Sequence, residues 1–306
     1  MSMTVPNASQ PELDARRAGT VILGDAPIAR MGFGTMRLPG PGVWGMPRDP
    51  QEARRVLQRA VDLGVNYIDT ASFYGPLVSD SLIVEALYPY PAGLIIGTKV
   101  GAWRGSDKSW IMEARPEQLK ASVEDNLDRL RLEQLVLVHL RFNQPSGVPF
   151  EESLGAMIEL RQAGKIRHIG LSGVTLEHLL AAEKLVPIAS VQNLYNLVDR
   201  RDEPTLEYCS QHGIPYMPFF PLATGSLGRE VGPLKAIADR HHVTPAQVAL
   251  AWLCGRSPQM VLIPGTRSVA HLEENIASLA IQLDSKEQRA LEESAEIASG
   301  WAPPHR

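Results

Sequence analysis

A closed (β/α)8 TIM barrel, with an N-terminal β-hairpin and extra C-terminal helices, is the fold this 306-residue sequence predicts. Three observations predict it. From about residue 20, short aliphatic runs alternate with longer stretches whose apolar residues fall at helical spacing. The short runs are apolar at successive positions, as parallel strands buried on both faces are, rather than at alternate ones. Counting MGFGT as the first strand, eight strand–helix units fill about 260 residues, which suits a closed barrel better than a doubly wound sheet.

Each element has its own signal. TVILGDAPIA reads as a hairpin turning at GD and leading into MGFGT. QEARRVLQRAVDLG sets Val56, Leu57, Ala60, Val61 and Leu63 at helical spacing and stops at Gly64. Then VNYIDT precedes SDSLIVEALYPY, LIIGTKV precedes RPEQLKASVEDNLDRLRL, and LVLVHLR precedes PFEESLGAMIELRQAGK. IRHIGLS precedes TLEHLLAAEKLV, and IASVQNLYN precedes DEPTLEYCSQHG. IPYMPFF leads into a long helical region. Within it Thr244-Pro245-Ala246-Gln247 is a capping box with proline at the first helical position, so a second helix precedes the last strand, MVLIPGT. SVAHLEENIASLA and SKEQRALEESAEIAS supply the final helices.

Composition narrows the function. With 44% hydrophobic and 21% charged residues, the chain can bury a large core. A net charge of −4 gives no electrostatic case for nucleic acid or an anionic membrane as partner. No run is long enough to span a bilayer, and residues 1–19 lack the apolar region of a signal peptide. Those residues are expected to be a flexible tail before one domain, 20–306. Cys209 and Cys254 have no CxxC or Cys/His spacing and read as buried reduced thiols, which fits a cytoplasmic protein. His241-His242, the single histidine pair, sits at a helix end where a cation complements the dipole. No metal is expected, and a metal-dependent barrel hydrolase is the weaker reading.

In such a barrel, chemistry collects at the C-terminal ends of the strands. The second strand ends at Asp69, with Tyr74 in the loop beyond; the third ends at Lys99 and the fourth at His139. Ser172 ends the fifth, Gln192 lies on the sixth, and the eighth runs into Gly265-Thr266-Arg267. Asp, Tyr, Lys and His on three consecutive strand ends would converge on one cavity. A phenol titrates near ~10 and is a poor base at neutral pH, but a neighbouring ammonium is expected to lower that value. Asp69 can pair with Lys99 and fix it. His139 can donate to a carbonyl oxygen, and Tyr74 can give that oxygen its proton as a hydride reaches the carbon.

The motifs GFGTM, IDTASFYG, GTKVG, VHLR, GKIRHIGLS, VQNLYN, PFFPL, TPAQVALAW and IPGTRSVAHLEEN resemble those of the aldo-keto reductases over essentially residues 20–290. The resemblance implies a barrel that uses a nicotinamide cofactor without a Rossmann domain, and the chain carries no GxGxxG after a strand. It implies that Asp69, Tyr74, Lys99 and His139 form the catalytic set, with Tyr74 as proton donor. Thr35, Met36 and Asp69 would lie near the nicotinamide, Ser172 and Gln192 would hold its carboxamide, and Phe219 would stack on its ring. Pro221 and Leu222 would line the pyrophosphate path. Gly265, Thr266 and Arg267 would meet the adenosine phosphate, and Glu274 and Asn275 the adenine. Arg267 favours NADPH over NADH, because a guanidinium suits a 2′-phosphate. Two positions depart from the family pattern: Gly173 where asparagine is frequent, and His271 where arginine is frequent.

Above the barrel, Trp44, Phe73, Trp103, Trp110, Leu140 and Arg141 are the expected substrate lining, suited to a ring-bearing carbonyl compound. GPGVWGMPRD, SFYGPLVSDSLIVEALYPYP and KVGAWRGSDKSW resemble the bacterial pyridoxal reductase branch of the family. That implies hydride transfer to the aldehyde of pyridoxal. The alternatives are reduction of other aldehydes or ketones, and a cofactor-binding regulatory protein on the same scaffold.

Overall fold

The computed structural model describes residues 13–142, 147–222 and 232–297. The chain opens with an antiparallel hairpin, β1 (Thr20–Leu23) and β2 (Ala26–Ala29), turning at Gly24-Asp25. β3 (Phe33–Gly34), β4 (Tyr67–Asp69) and β5 (Ile95–Val100) follow. A second hairpin, β6 (Ala102–Arg104) and β7 (Trp110–Met112), rises directly beyond β5. β8 (Leu135–Arg141), β9 (Ile166–Ser172) and β10 (Ile188–Gln192) complete a six-stranded parallel sheet ordered β10-β9-β8-β5-β4-β3.

Two extended passes close this sheet through single parallel bridges. Val191 meets Tyr216, Tyr216 meets Met260, and Leu262 meets Met31. The Met217 N–H donates to Val191 O at 2.8 Å, and the Leu262 N–H to Arg30 O at 2.8 Å. The expected seventh and eighth strands are thus present as passes rather than ladders. Pro215, Pro218, Pro221 and Pro264 remove backbone donors along them, and each proline interrupts pairing. The expected first strand shortens to two residues.

Alternation along the strands sorts the core into two clusters. Tyr67, Ile95, Leu137, Met217, Val261 and Ile263 pack inside the barrel with Val21, Leu23 and Ile28, so the first hairpin plugs the N-terminal mouth. Ile68, Ile96, Val138, Ile169 and Val191 face the helices. Those helices are α1 (Pro50–Asp62), α2 (Val78–Leu87), α3 (Pro116–Leu130), α4 (Phe150–Gln162), α5 (Leu176–Glu183) and α6 (Glu203–His212), then α7 (Gly232–His241), α8 (Pro245–Arg256), α9 (Val269–Ala277) and α10 (Ser285–Ile297). The capping box at Thr244 forms: the Gln247 N–H donates to Thr244 Oγ1 and the Thr244 N–H to Gln247 Oε1.

Residues 13–19 correct the expected tail. Asp14 caps a short 3-10 helix, Ala15–Ala18, and Ala15 is fully buried with its N–H donating to Leu63 O at 2.8 Å. Residues 1–12 lie outside the described residues. Both cysteines are free thiols, and among the described residues no helix is long and apolar enough to cross a membrane.

Candidate active site

Strand register stacks the polar residues in layers above the apolar plug. Asp69 pairs with Gly97, Lys99 with His139, His139 with Gly170, and Ser172 with Gln192. Two of these positions need glycine. A Cβ on Gly97 would sit 2.4 Å from the Tyr67 hydroxyl, and one on Gly170 would sit 2.4 Å from the His139 ring. The barrel axis therefore has room for one large ring at each level because its neighbour has no side chain.

Lys99 is 2% exposed and Asp69 is 3% exposed, so this pair is removed from water. Lys99 Nζ donates to Asp69 Oδ2 at 2.6 Å and to the Thr70 carbonyl at 2.9 Å. Gln192 Nε2 donates to Asp69 Oδ1 at 2.8 Å, so both carboxylate oxygens are satisfied. Burial works against the Lys99 charge, but Asp69 and Tyr74 outweigh it and hold the ammonium above its ordinary range. Two of the three ammonium donors are thereby committed. The nitrogen stands 5.0 Å from the centre of the Tyr74 ring, which leaves the third N–H on the tyrosine's side.

Tyr74 is held by a tight turn, its N–H donating to Ala71 O at 2.9 Å. Its phenol corrects one expectation. Burial pushes the pKa up, and the opposing pull of Lys99 only tempers that rise. Tyr74 is thus a fully protonated acid at neutral pH, not a phenol poised to ionise. His139 is fully buried, and burial followed by the Lys99 charge drives its pKa down to about 3, so the imidazole is neutral. Its Nε2 is 2.9 Å from Ser190 Oγ. Direct donation from Nε2 to a substrate oxygen requires exchanging Ser190 for that oxygen, a partner absent from the sequence reading.

A buried chain of hydroxyls backs the lysine. Thr35 Oγ1 donates to Thr70 Oγ1 at 3.0 Å, and Thr70 Oγ1 donates to Asp80 Oδ1 at 2.8 Å. Asp80, on α2, is 1% exposed and its Oδ2 has no partner among the described residues. Sequence reasoning missed it; the available signal was an acid set in the apolar run of SDSLIVEAL. Burial raises its pKa from 3.8 to about 6, against the lowering hydrogen bond from Thr70. The folded state therefore binds more protons than the unfolded chain between those values, and stability falls as pH rises from 3.8 to about 6. Asp80→Asn is expected to remove that slope and to gain up to about 3 kcal/mol relative to the parent above pH ~6. Urea melts from pH 4 to 8 check this; an unchanged slope removes Asp80 as its source.

The loops supply an aromatic wall. Trp103, Trp110, Met36 and Val43 pack at the edge of a cluster made of Ala71, Phe73, Tyr74 and Ala102. Phe73 is fully buried and edge-on to Tyr74 and Trp110, so it backs the wall rather than lining a pocket. Leu140 is also corrected: it faces the helices within the main core, because its neighbour His139 takes the inward side of β8. Trp44 bridges to Gly75 and lies beneath the Arg104 guanidinium, 5.5 Å from its carbon. Arg141 lies 4.9 Å above Trp110. Arg104 was absent from the expected lining because the β6–β7 hairpin that presents it was not foreseen.

Across the mouth lie the residues that could hold a dinucleotide. Ser172 is buried, and its hydroxyl makes no hydrogen bond to a described residue. With its amide donor on Asp69, Gln192 retains an oxygen to accept one. Gly173 adopts φ +71°, and its N–H donates to Asn193 Oδ1 at 2.9 Å, so Asn193 fills the space beside the departure from asparagine. Phe219, Pro221 and Leu222 are half-buried and end the described segment. Thr35, Thr266 and Asn275 are buried, Met36 and Gly265 are half-buried, and Arg267, His271 and Glu274 are exposed. Arg267 makes no ion pair among the described residues and immediately precedes the Ser268 cap of α9. The first turn of α9 already carries a carboxylate, with the Val269 N–H donating to Glu52 Oε1 at 3.1 Å. Among the described residues Arg267 is thus left unpaired there, and this donor set fits an amide at one end and a phosphate at the other.

Two further histidines have structural partners. His241 Nε2 is 3.0 Å from Glu287 Oε1, and His168 Nε2 is 2.8 Å from Asp25 on the first hairpin. Among the described residues no three of His, Cys, Asp and Glu are grouped to hold a metal.

A barrel with a buried lysine–carboxylate pair beneath a protonated tyrosine, all at the C-terminal ends of its strands, has the architecture of a barrel oxidoreductase. The sequence profile of the aldo/keto reductase family matches residues 30–296, and the chain belongs to that family. It is 45% identical over 274 residues to pyridoxine 4-dehydrogenase of Escherichia coli, covering 88% of this chain and 96% of that one. It is 43% identical over 286 residues to an uncharacterized oxidoreductase of Schizosaccharomyces pombe, covering 94% and 93%. Among solved structures, an aldo-keto reductase from Klebsiella pneumoniae in complex with NADPH superposes with a TM-score of 0.76 at 26% identity, covering 94% of this chain and 96% of that one.

Proposed function

We propose that this chain is an NADPH-dependent reductase of aldehydes and ketones, with pyridoxal as its substrate and Tyr74 as the general acid. The observation that carries the reading is the buried Asp69–Lys99 pair facing the Tyr74 ring. Bound NADPH supplies the hydride. Tyr74 gives its phenolic proton to the carbonyl oxygen, and the Lys99 ammonium stabilises the phenolate left behind. Asp69 and the Thr70 carbonyl fix Lys99, while neutral His139 adds no competing charge. Ser172, Gln192 and Phe219 would hold the nicotinamide, and Arg267 the 2′-phosphate. The NADPH complex of the Klebsiella neighbour and the name of the Escherichia coli relative both support this. The two free thiols fit a reducing cytoplasm.

The test is steady-state oxidation of NADPH and of NADH by the purified protein with pyridoxal and a panel of other aldehydes and ketones. Brisk turnover elsewhere and none with pyridoxal would remove the pyridoxal assignment and leave the reductase. NADPH retention with no turnover on any carbonyl would favour a regulatory role. Arg267→Ala is expected to weaken NADPH binding about tenfold or more, the worth of a charged hydrogen bond, with a smaller effect on NADH. Equal losses for both cofactors in a fluorescence titration would mean that Arg267 does not read the phosphate.

A further inference from the structure

Among the described residues, two guanidiniums at the mouth have no counter-ion. Arg104 is 6% exposed; its Nε and Nη2 donate to the Lys108 carbonyl at 3.2 and 3.0 Å, and its buried Nη1 has no partner among the described residues. Arg141, at the end of β8, leaves its buried Nε without a partner among those residues. Neither makes an ion pair among the described residues. The acids of the neighbouring hairpin are otherwise disposed. Asp107 accepts from Ser109 at 2.6 Å, and the Glu113 carboxyl is pushed up by burial with no cation drawing it down. Both arginines instead share Trp110, with guanidinium carbons 4.6 and 4.9 Å from its centre, and Lys108 adds a third charge over Trp44 at 5.7 Å. Stacking on tryptophan is favourable, but it satisfies no in-plane N–H. A buried cation with idle donors is costly in a folded protein unless an anion completes it.

We propose that Arg104 and Arg141 form an anion subsite for the substrate, selecting ring-bearing carbonyl compounds that carry an ionised oxygen, whether phenolate, carboxylate or phosphate ester. The inference rests on the reductase reading and deepens it. The Arg141 charge is felt at the Tyr74 phenol, so an anionic group close to the carbonyl on the same ring would meet Arg141 while the carbonyl meets Tyr74. Pyridoxal has that form, its phenolic oxygen standing on the carbon next to the one that bears the aldehyde. Arg104, at the end of β6, would take a second acidic substituent.

The test compares the three carboxybenzaldehyde isomers with their methyl esters by calorimetric titration of the full-length protein. For at least one isomer the acid is expected to bind about tenfold or more tightly than its ester, as a desolvated charged hydrogen bond allows. Arg141→Met and Arg104→Met, which keep bulk and lose charge, are expected to bring that ratio toward one, and the lysine variants to restore part of it. Esters binding as well as acids for all three isomers, or a preference surviving in both methionine variants, overturns the subsite. If a variant does not fold, the wild-type comparison decides alone. Turnover of the same pairs with NADPH separates the two readings. Reduction without acid preference overturns the subsite and leaves the reductase; acid-selective binding without reduction of any carbonyl does the reverse.

Discussion

Replacing Tyr74 with phenylalanine is expected to lower kcat for carbonyl reduction about 10²–10⁴-fold, the usual worth of a positioned general acid, with NADPH binding retained. The ring contacts to Phe73 and the turn that holds the residue are kept, so the change removes only the proton. The pH dependence sharpens the test. Burial holds the phenol above its ordinary value of 10.0, so the reductive rate should stay flat through neutral pH and fall only where Tyr74 ionises. The variant should lose that alkaline limb. Because His139 is driven from 6.5 to about 3, no limb should be found between pH 5 and 8 that disappears in His139→Gln. Single-turnover measurements of NADPH oxidation across pH report both features. Unchanged turnover in Tyr74→Phe removes it from the acid role.

The barrel was legible in the sequence because its signal repeats: parallel strands buried on both faces and amphipathic helices differ in period, and the alternation recurs along the chain. Prolines in IPYMPFF and MVLIPGT were equally visible, yet their consequence, closure by single bridges, depends on partners the sequence does not name. The convergence of Asp69, Lys99 and Tyr74 was readable because strand ends in a barrel share one mouth. What the sequence hid was direction and partnership. Leu140 sits beside His139 in the chain but on the opposite face of β8. Gln192 reaches Asp69 across 123 positions, and Ser190 reaches His139 across 51, distances over which no local pattern operates. The shift at Tyr74 was misjudged because proximity to a cation is readable from motif spacing, whereas full burial, the larger influence, is a property of the assembled loops.

Lys99→Met is expected to be the most destabilising change in the site, by about 3–5 kcal/mol, because it leaves the Asp69 carboxylate in the core without its cation. Gln192 would still donate to Oδ1, but Oδ2 and the Thr70 carbonyl would both lose their charged partner. Two further measurements distinguish this cause from lost packing. First, Asp69→Asn combined with Lys99→Met removes both charges and keeps the Gln192 acceptor, so the double variant should recover most of the loss; buried ion pairs replaced by neutral groups of like volume often come out near even. Second, the pH window follows from the direction of the Lys99 shift. Its folded pKa lies above the ordinary 10.5, so the pair's contribution is complete at neutral pH and is lost only as pH rises through that raised value. The gap between wild type and Lys99→Met in urea melts should thus be constant from pH 6 to 9 and narrow above about 10.5. A double variant no more stable than Lys99→Met would mean that the lysine's stem, packed at the barrel mouth, outweighs its charge.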